Sequence, residues 1–102
     1  MKIAIARINN KELEISFQVG RAPYYSLFNE KGELLETIKN PFATGGGGAG
    51  IAVAKMLADK DVDLVIAESI GDRMIEALED RGLKYKQIKG EIKDVFIDIE
   101  KD

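Results

Sequence analysis

Residues 2–8 place Ile3, Ile5 and Ile8 around Ala4 and Ala6. Apolar residues on both alternating faces predict a central strand covered from two sides. Over 12–17, Leu13, Ile15 and Phe17 alternate with polar residues, which suits a short strand or an extended arm equally. Residues 24–29 read as a strand, Glu30 to Glu33 as a tight turn, and 34–39 as the hairpin partner. Asn40-Pro41 ends that strand, and the glycine run Gly45 to Gly48 leads into a helix over about 48–59. That helix is apolar almost all round, through Ile51, Ala52, Val53, Ala54, Met56, Leu57 and Ala58, which predicts deep packing.

Further on, Leu64-Val65-Ile66-Ala67 within 62–67 is the continuous run of a buried parallel strand. Ser69 to Asp72 supplies helix-capping residue types, Met74, Ile75, Ala77 and Leu78 recur at helical spacing, and Gly82 suits the close of that helix. Residues 83–88 form a last strand, marked as an edge by Lys84, Lys86 and Gln87. Beyond Gly90, Ile92, Val95, Phe96 and Ile99 fit a helix, whereas Val95, Ile97 and Ile99 fit a strand.

This order predicts an α/β fold of one domain spanning 1–102. A βαβ second half requires parallel strands, and the hairpin requires one strand to oppose its neighbours. The simplest result is a mixed five-stranded sheet between helical layers, a three-layer α/β/α arrangement with one antiparallel strand. Ligands of open α/β sheets bind outside the carboxyl ends of the parallel strands. If strands 2–8, 34–39, 62–67 and 83–88 run together, that edge gathers Gln18, Gly20, Arg21, Asn40, Thr44, Gly45, Gly46, Gly47, Gly48, Glu68, Ser69 and Asp72.

Composition narrows the chemistry. The 102 residues carry a net charge of −3, which argues against nucleic-acid or anionic-membrane partners. The chain opens straight into a strand pattern and has no long apolar run, so a cytoplasmic protein is expected. There is no cysteine and no histidine, which removes the thiolate nucleophile, the commonest general base and the softer metal ligands. No base–nucleophile pair is visible, so a non-enzymatic binding protein is expected, with no metal-ligating set.

Glycines at a helix N-terminus expose free N–H groups at the positive end of the dipole, which favours an anion. Arg21 would add a forked cation. The same glycines suit a plain loop or a close helix–sheet contact. Gly45, Gly47 and Gly50 formally satisfy G-x-G-x-x-G, but the preceding strand ends too early for the dinucleotide turn. A Walker loop needs Lys and Ser/Thr after its last glycine, and Ala49, Gly50 and Ile51 follow Gly48 instead. Glu12 and Glu14, or Asp59, Asp61 and Asp63, read as solvated positions, and Lys84, Lys86, Lys89 and Lys93 as edge protection.

Taken together, three segments carry a family resemblance. They are Val19-Gly20-Arg21-Ala22-Pro23-Tyr24-Tyr25, Asn40-Pro41 with Gly46 to Ala52, and Leu57 to Ile66 with Ile70-Gly71. The chain resembles the dinitrogenase iron–molybdenum cofactor biosynthesis family, which includes NifX-like carriers and the C-terminal part of NifB-like proteins. The resemblance implies a ribonuclease H-like fold. It also implies a carrier of an iron–sulfur or iron–molybdenum cofactor precursor, or an interaction module of a metal-cofactor assembly system. Carrier relatives often show histidine where this chain has Gln18 and near Thr44, and Val19 replaces their phenylalanine. A nuclease on this fold would place carboxylates on its central strands, and Met1 to Ile8 holds none.

Overall fold

The computed structural model describes residues 1–7, 22–42 and 49–89. Their elements are β1 (Lys2–Arg7), β2 (Tyr24–Asn29), β3 (Leu34–Lys39), α1 (Ala49–Asp59), β4 (Leu64–Ala67), α2 (Asp72–Asp80) and β5 (Lys84–Gln87). The strand order across the sheet is β3-β2-β1-β4-β5. β1 pairs antiparallel with β2 and parallel with β4, β2 pairs antiparallel with β3, and β4 pairs parallel with β5. Four strands therefore run together and β2 alone opposes them. The expectations for 12–17 and 91–99 lie outside the described residues.

Alternation along the strands sorts the core into two layers. Ala4, Ala6, Tyr25, Leu27, Val65 and Ala67 pack on one face with Val53, Ala54 and Leu57 of α1 and Met74, Ala77 and Leu78 of α2. Ile3, Ile5, Phe28, Leu64 and Ile66 are buried together on the other face. Both faces of β1 are thus covered, as its unbroken apolar run requires. The fold is α/β, and its doubly buried mixed sheet is that of a three-layer α/β/α arrangement.

The two helices end by the same device. After α2, the Gly82 N–H donates to the Glu79 carbonyl at 3.0 Å and the Leu83 N–H to the Leu78 carbonyl at 2.9 Å. After α1, the Asp61 N–H donates to the Ala58 carbonyl at 3.0 Å and the Val62 N–H to the Leu57 carbonyl at 3.1 Å. Each is the paired-bond stop that needs one left-handed residue, followed by an apolar residue folding back on the last turn. Leu57 and Val62, and Leu78 and Leu83, are buried accordingly. The left-handed residue is Gly82 (φ 74°) in one case and Asp61 (φ 61°) in the other. Each stop delivers the chain directly into the next parallel strand.

Two details depart from the sequence pattern. The helix α1 is not packed all round, because Ile51 is half exposed and, among the helix residues whose burial is described, only Val53, Ala54 and Leu57 are buried. Its apolar residues outnumber the neighbours available to cover them. The cap of α2 falls within the expected Ser69 to Asp72 stretch, but on Gly71, which makes no side-chain bond and whose carbonyl accepts from the Ile75 N–H at 3.0 Å.

The helix stops yield a paired expectation for urea unfolding. Gly82→Ala should lose about 1 kcal/mol, because alanine resists a positive φ. Asp61→Gly should gain a fraction of that, since it relieves the same strain at the other stop. Equal stability of all three proteins would contradict the assignment.

Candidate functional site

With four strands parallel, their carboxyl ends meet at one edge of the sheet. There β1 ends at Arg7, β3 at Lys39, β4 at Ala67 and β5 at Gln87, while β2 begins at Tyr24. Three polar clasps hold this edge.

Asn40 makes the first clasp. It is buried, its N–H donates to the Pro23 carbonyl at 2.9 Å, and its Nδ2 donates to the Ala22 carbonyl at 2.9 Å. Its Oδ1 accepts from the Phe42 N–H at 2.9 Å. One side chain thus joins the entry to β2 with the exit from β3. Asparagine suits this place because its amide donates and accepts at once, and its short side chain reaches a backbone two residues on.

The second clasp is Gln87, whose Oε1 accepts from the Ile70 N–H at 3.0 Å and so fixes the turn between β4 and α2 to β5. The third crosses three strands. Arg7 is 5% exposed, and its guanidinium donates to Ser26 Oγ at 3.0 Å. Ser26 Oγ lies 3.4 Å from Thr37 Oγ1. The register explains the line, since Arg7 pairs with Tyr24, Ile5 with Ser26, and Ser26 with Thr37 on a common face. A buried arginine at this edge is a permanent cation with forked donors.

On the opposite face of β2, Tyr25 is fully buried. Its hydroxyl meets no hydrogen-bond partner among the described residues. Burial pushes its ionisation well above the ordinary value.

Of the sequence-predicted site residues, Ser69 stands at this edge and is exposed, with half-buried Glu68 beside it and exposed Asp72 at the start of α2. Gln18, Gly20, Arg21, Thr44, Gly45, Gly46, Gly47 and Gly48 lie outside the described residues. The described residues that flank them in the chain, Arg7 and Ala22 on one side and Phe42 and Ala49 on the other, bracket both stretches. Arg7, Ser26 and Gln87 were missed by pattern reading. Arg7 shares the period-2 face of Ile3 and Ile5, so a cation ending an apolar strand face was the available signal.

Asp61 and Asp63, weighed with Asp59 as a cluster, sit elsewhere, and Glu12 and Glu14 lie outside the described residues. The Asp63 Oδ2 accepts from the Lys2 N–H at 2.8 Å, and the Asp63 N–H donates to the Lys2 carbonyl at 2.8 Å, at the amino end of the sheet. Asp61 is the helix stop of α1. No group of three or more potential metal-ligating side chains occurs among the described residues.

Comparison with known proteins agrees with this architecture. A family model described as dinitrogenase iron-molybdenum cofactor matches residues 1–102. The chain belongs to that family. A Thermotoga protein provisionally assigned as NifB is 28% identical, with 98% of this chain and 86% of that one covered and a TM-score of 0.74. The apo form of the orange protein from Desulfovibrio gigas is 24% identical over 95% of this chain and 87% of its own, with a TM-score of 0.82. A Methanocaldococcus jannaschii protein provisionally assigned as a dinitrogenase is 17% identical over 99% and 89%, with a TM-score of 0.66. The last two show the shared fold alone. Comparison with curated proteins returns no match. No helix among the described residues is long and apolar enough to cross a membrane.

The clasp and the buried phenol each give a test. Asn40→Ala should cost about 2 kcal/mol or more, because it strands the Ala22 carbonyl and the Phe42 N–H together. Circular dichroism during urea unfolding measures it, and a loss below about 0.5 kcal/mol would refute the clasp. For Tyr25, the folded state keeps a proton that the unfolded chain releases near pH 10.0. Its contribution is therefore full below that pH and falls by about 1.4 kcal/mol per unit above it. Tyr25→Phe should lack this slope and be slightly more stable at neutral pH, having no hydroxyl to bury.

Proposed function

We propose that this protein is a non-catalytic carrier that holds an anionic metal-cofactor precursor, of iron–sulfur or iron–molybdenum type, at the carboxyl edge of its sheet. The observation that supports this most is the membership of the whole chain in the iron-molybdenum cofactor family. The topology agrees, because the two stretches richest in anion-binding residue types leave the sheet from one edge.

The cargo would be held without imidazole or thiolate ligands, since the chain contains neither. Backbone N–H groups of the Gly45 to Gly48 stretch, the helix dipole of α1 and the Arg21 guanidinium are the groups suited to an intact anion. Such a hold is weak and reversible beside direct ligation, which suits transfer of a cluster from one protein to another. Nucleic-acid partners are disfavoured by the negative net charge, and a cytoplasmic setting fits the cysteine-free composition.

A second reading is an interaction module of a metal-cofactor assembly system. Large apolar side chains left exposed along β3 and beside α1 favour it.

Anaerobic mixing with an iron–sulfur cluster donor or with a thiomolybdate salt, followed by gel filtration and iron and molybdenum analysis, tests the carrier reading. Metal should co-elute with the protein, and Arg21→Ala should reduce its content severalfold. Metal-free protein after every treatment would sink the proposal.

A further inference from the structure

The two edges of the sheet are guarded very differently. β5 presents Lys84 and Lys86, with Lys89 just beyond, and carries no exposed large apolar residue. That is the usual protection of a free edge. β3 keeps Glu36 and Lys39 but opens with Leu34 and Leu35, which are 56% and 51% exposed. Every residue of β3 is exposed except the half-buried Ile38. Just past its end, Phe42 is 37% exposed, and Ile51 of α1 is 51% exposed. Of the exposed large hydrophobic residues among those described, Met1 alone lies away from these two elements.

Beside the end of β3 lies an open groove of about 570 Å³. Pro41, Phe42, Ala52 and Met56 form its apolar lining, and Lys55 and Asp59 contribute charge. The strip therefore has a knob at one end, Leu34 and Leu35, and an apolar hollow at the other. Six residues of extended chain separate them by about 20 Å.

We propose that this strip is the contact surface for a second copy of the chain, joined by antiparallel pairing of two β3 strands across a two-fold axis. The argument is one of self-complementarity. In an antiparallel pair, the start of each strand lies beside the end of the other. A two-fold contact also presents the same patch from both copies. With the axis at Thr37, Leu35 of each copy stands opposite Lys39 of the other. Leu35, the bulged residue of one copy, then lies beside the Pro41–Phe42 end of the other, where the hollow is, while Leu34, paired with Phe28, stays on the face away from α1. From Glu36 to Ile38, a register with the axis on Thr37 keeps matched side chains on one face, so the sheet continues as a single surface there.

Two local features fit. The β2–β3 register shifts between Leu27 and Phe28, leaving Leu35 as the extra residue of β3. Such a bulge frees a side chain from the regular pleat. The charge on the helix side of the strand is already balanced, because Lys60 Nζ lies 3.0 Å from Glu36 Oε1. Two Glu36 brought near the axis would each carry their own counter-ion.

The size of the strip sets the strength. A six-residue strand with a flanking groove would bury about 1,000 Å² in total, at the low end for specific contacts. The dimer is therefore weak and concentration-dependent. Pro41 and Phe42 immediately precede the glycine run in the chain, so the second copy would abut the point from which that stretch departs.

Sedimentation equilibrium from about 10 µM to about 1 mM tests this, because weak contacts of this size populate that range. The average mass should rise from the monomer value toward twice it. Leu35→Lys and Phe42→Asp, both at exposed positions, should each weaken association by about tenfold or more while leaving the thermal midpoint nearly unchanged. Lys84→Ser on the opposite edge should leave association intact. A monomer mass at every concentration overturns the proposal and leaves the strip to a different protein. So does association that survives both apolar substitutions, or that Lys84→Ser abolishes equally.

Discussion

Everything in this molecule hangs on the pairing of β1 with two neighbours of opposite sense. Its backbone bonds antiparallel to β2 on one side and parallel to β4 on the other. The strand can do this only because both of its faces are apolar and both are covered. From that arrangement the rest follows. The parallel side needs helical crossovers, which α1 and α2 supply, and the antiparallel side permits a tight hairpin. The hairpin returns β3 in the direction of β1, so four carboxyl ends share one edge.

The edge is then built by amide and guanidinium side chains. Asn40 and Gln87 tie loops to strands, and Arg7 is laid under the edge by the same alternation that buries Ile3 and Ile5. The opposite end of the sheet combines backbone devices with side-chain bonds, Asn29 holding the β2–β3 turn and Asp63 the start of β1. There the two helix stops and the Asp63–Lys2 ladder return the chain to its parallel strands. Asp61 and Asp63, which with Asp59 looked like a cluster in the sequence, belong to this amino end, so their spacing reflects turn construction. The carboxyl end of the sheet is thus locked by side chains that bracket the glycine-rich and Gly20-Arg21 stretches.

Much of the architecture was legible in the sequence. The buried central strand, the hairpin around Gly32, the parallel run at Leu64 to Ala67 and the left-handed Gly82 each have a local signature. Less legible were features that depend on what an element meets. The apolar run of α1 could not reveal that Ile51 would find no neighbour, because burial depends on the number of partners and not on composition alone. Asp61 gave no hint of its positive φ, since aspartate enters that region only occasionally and without a fixed pattern. Arg7 was hidden for a related reason. A charged residue at a strand end reads as a boundary, and only the register with Ser26 and Thr37 shows it turned inward. At the candidate site, Ser69, Glu68 and Asp72 stand at the edge the strand directions implied, and the glycine run and Arg21 lie outside the described residues.

The central claim is that the carboxyl edge is where an anionic cargo is held. Two-dimensional ¹H–¹⁵N NMR during titration with tetrathiomolybdate tests it most directly, because every backbone N–H reports its own surroundings. The account predicts shifts concentrated at the carboxyl edge, at Arg7, Ala22, Asn40, Phe42, Ser69, Ile70 and Gln87, with Lys60 to Asp63 and Arg81 to Leu83 unmoved. Shifts confined to the amino end, or none at saturating anion, would contradict it.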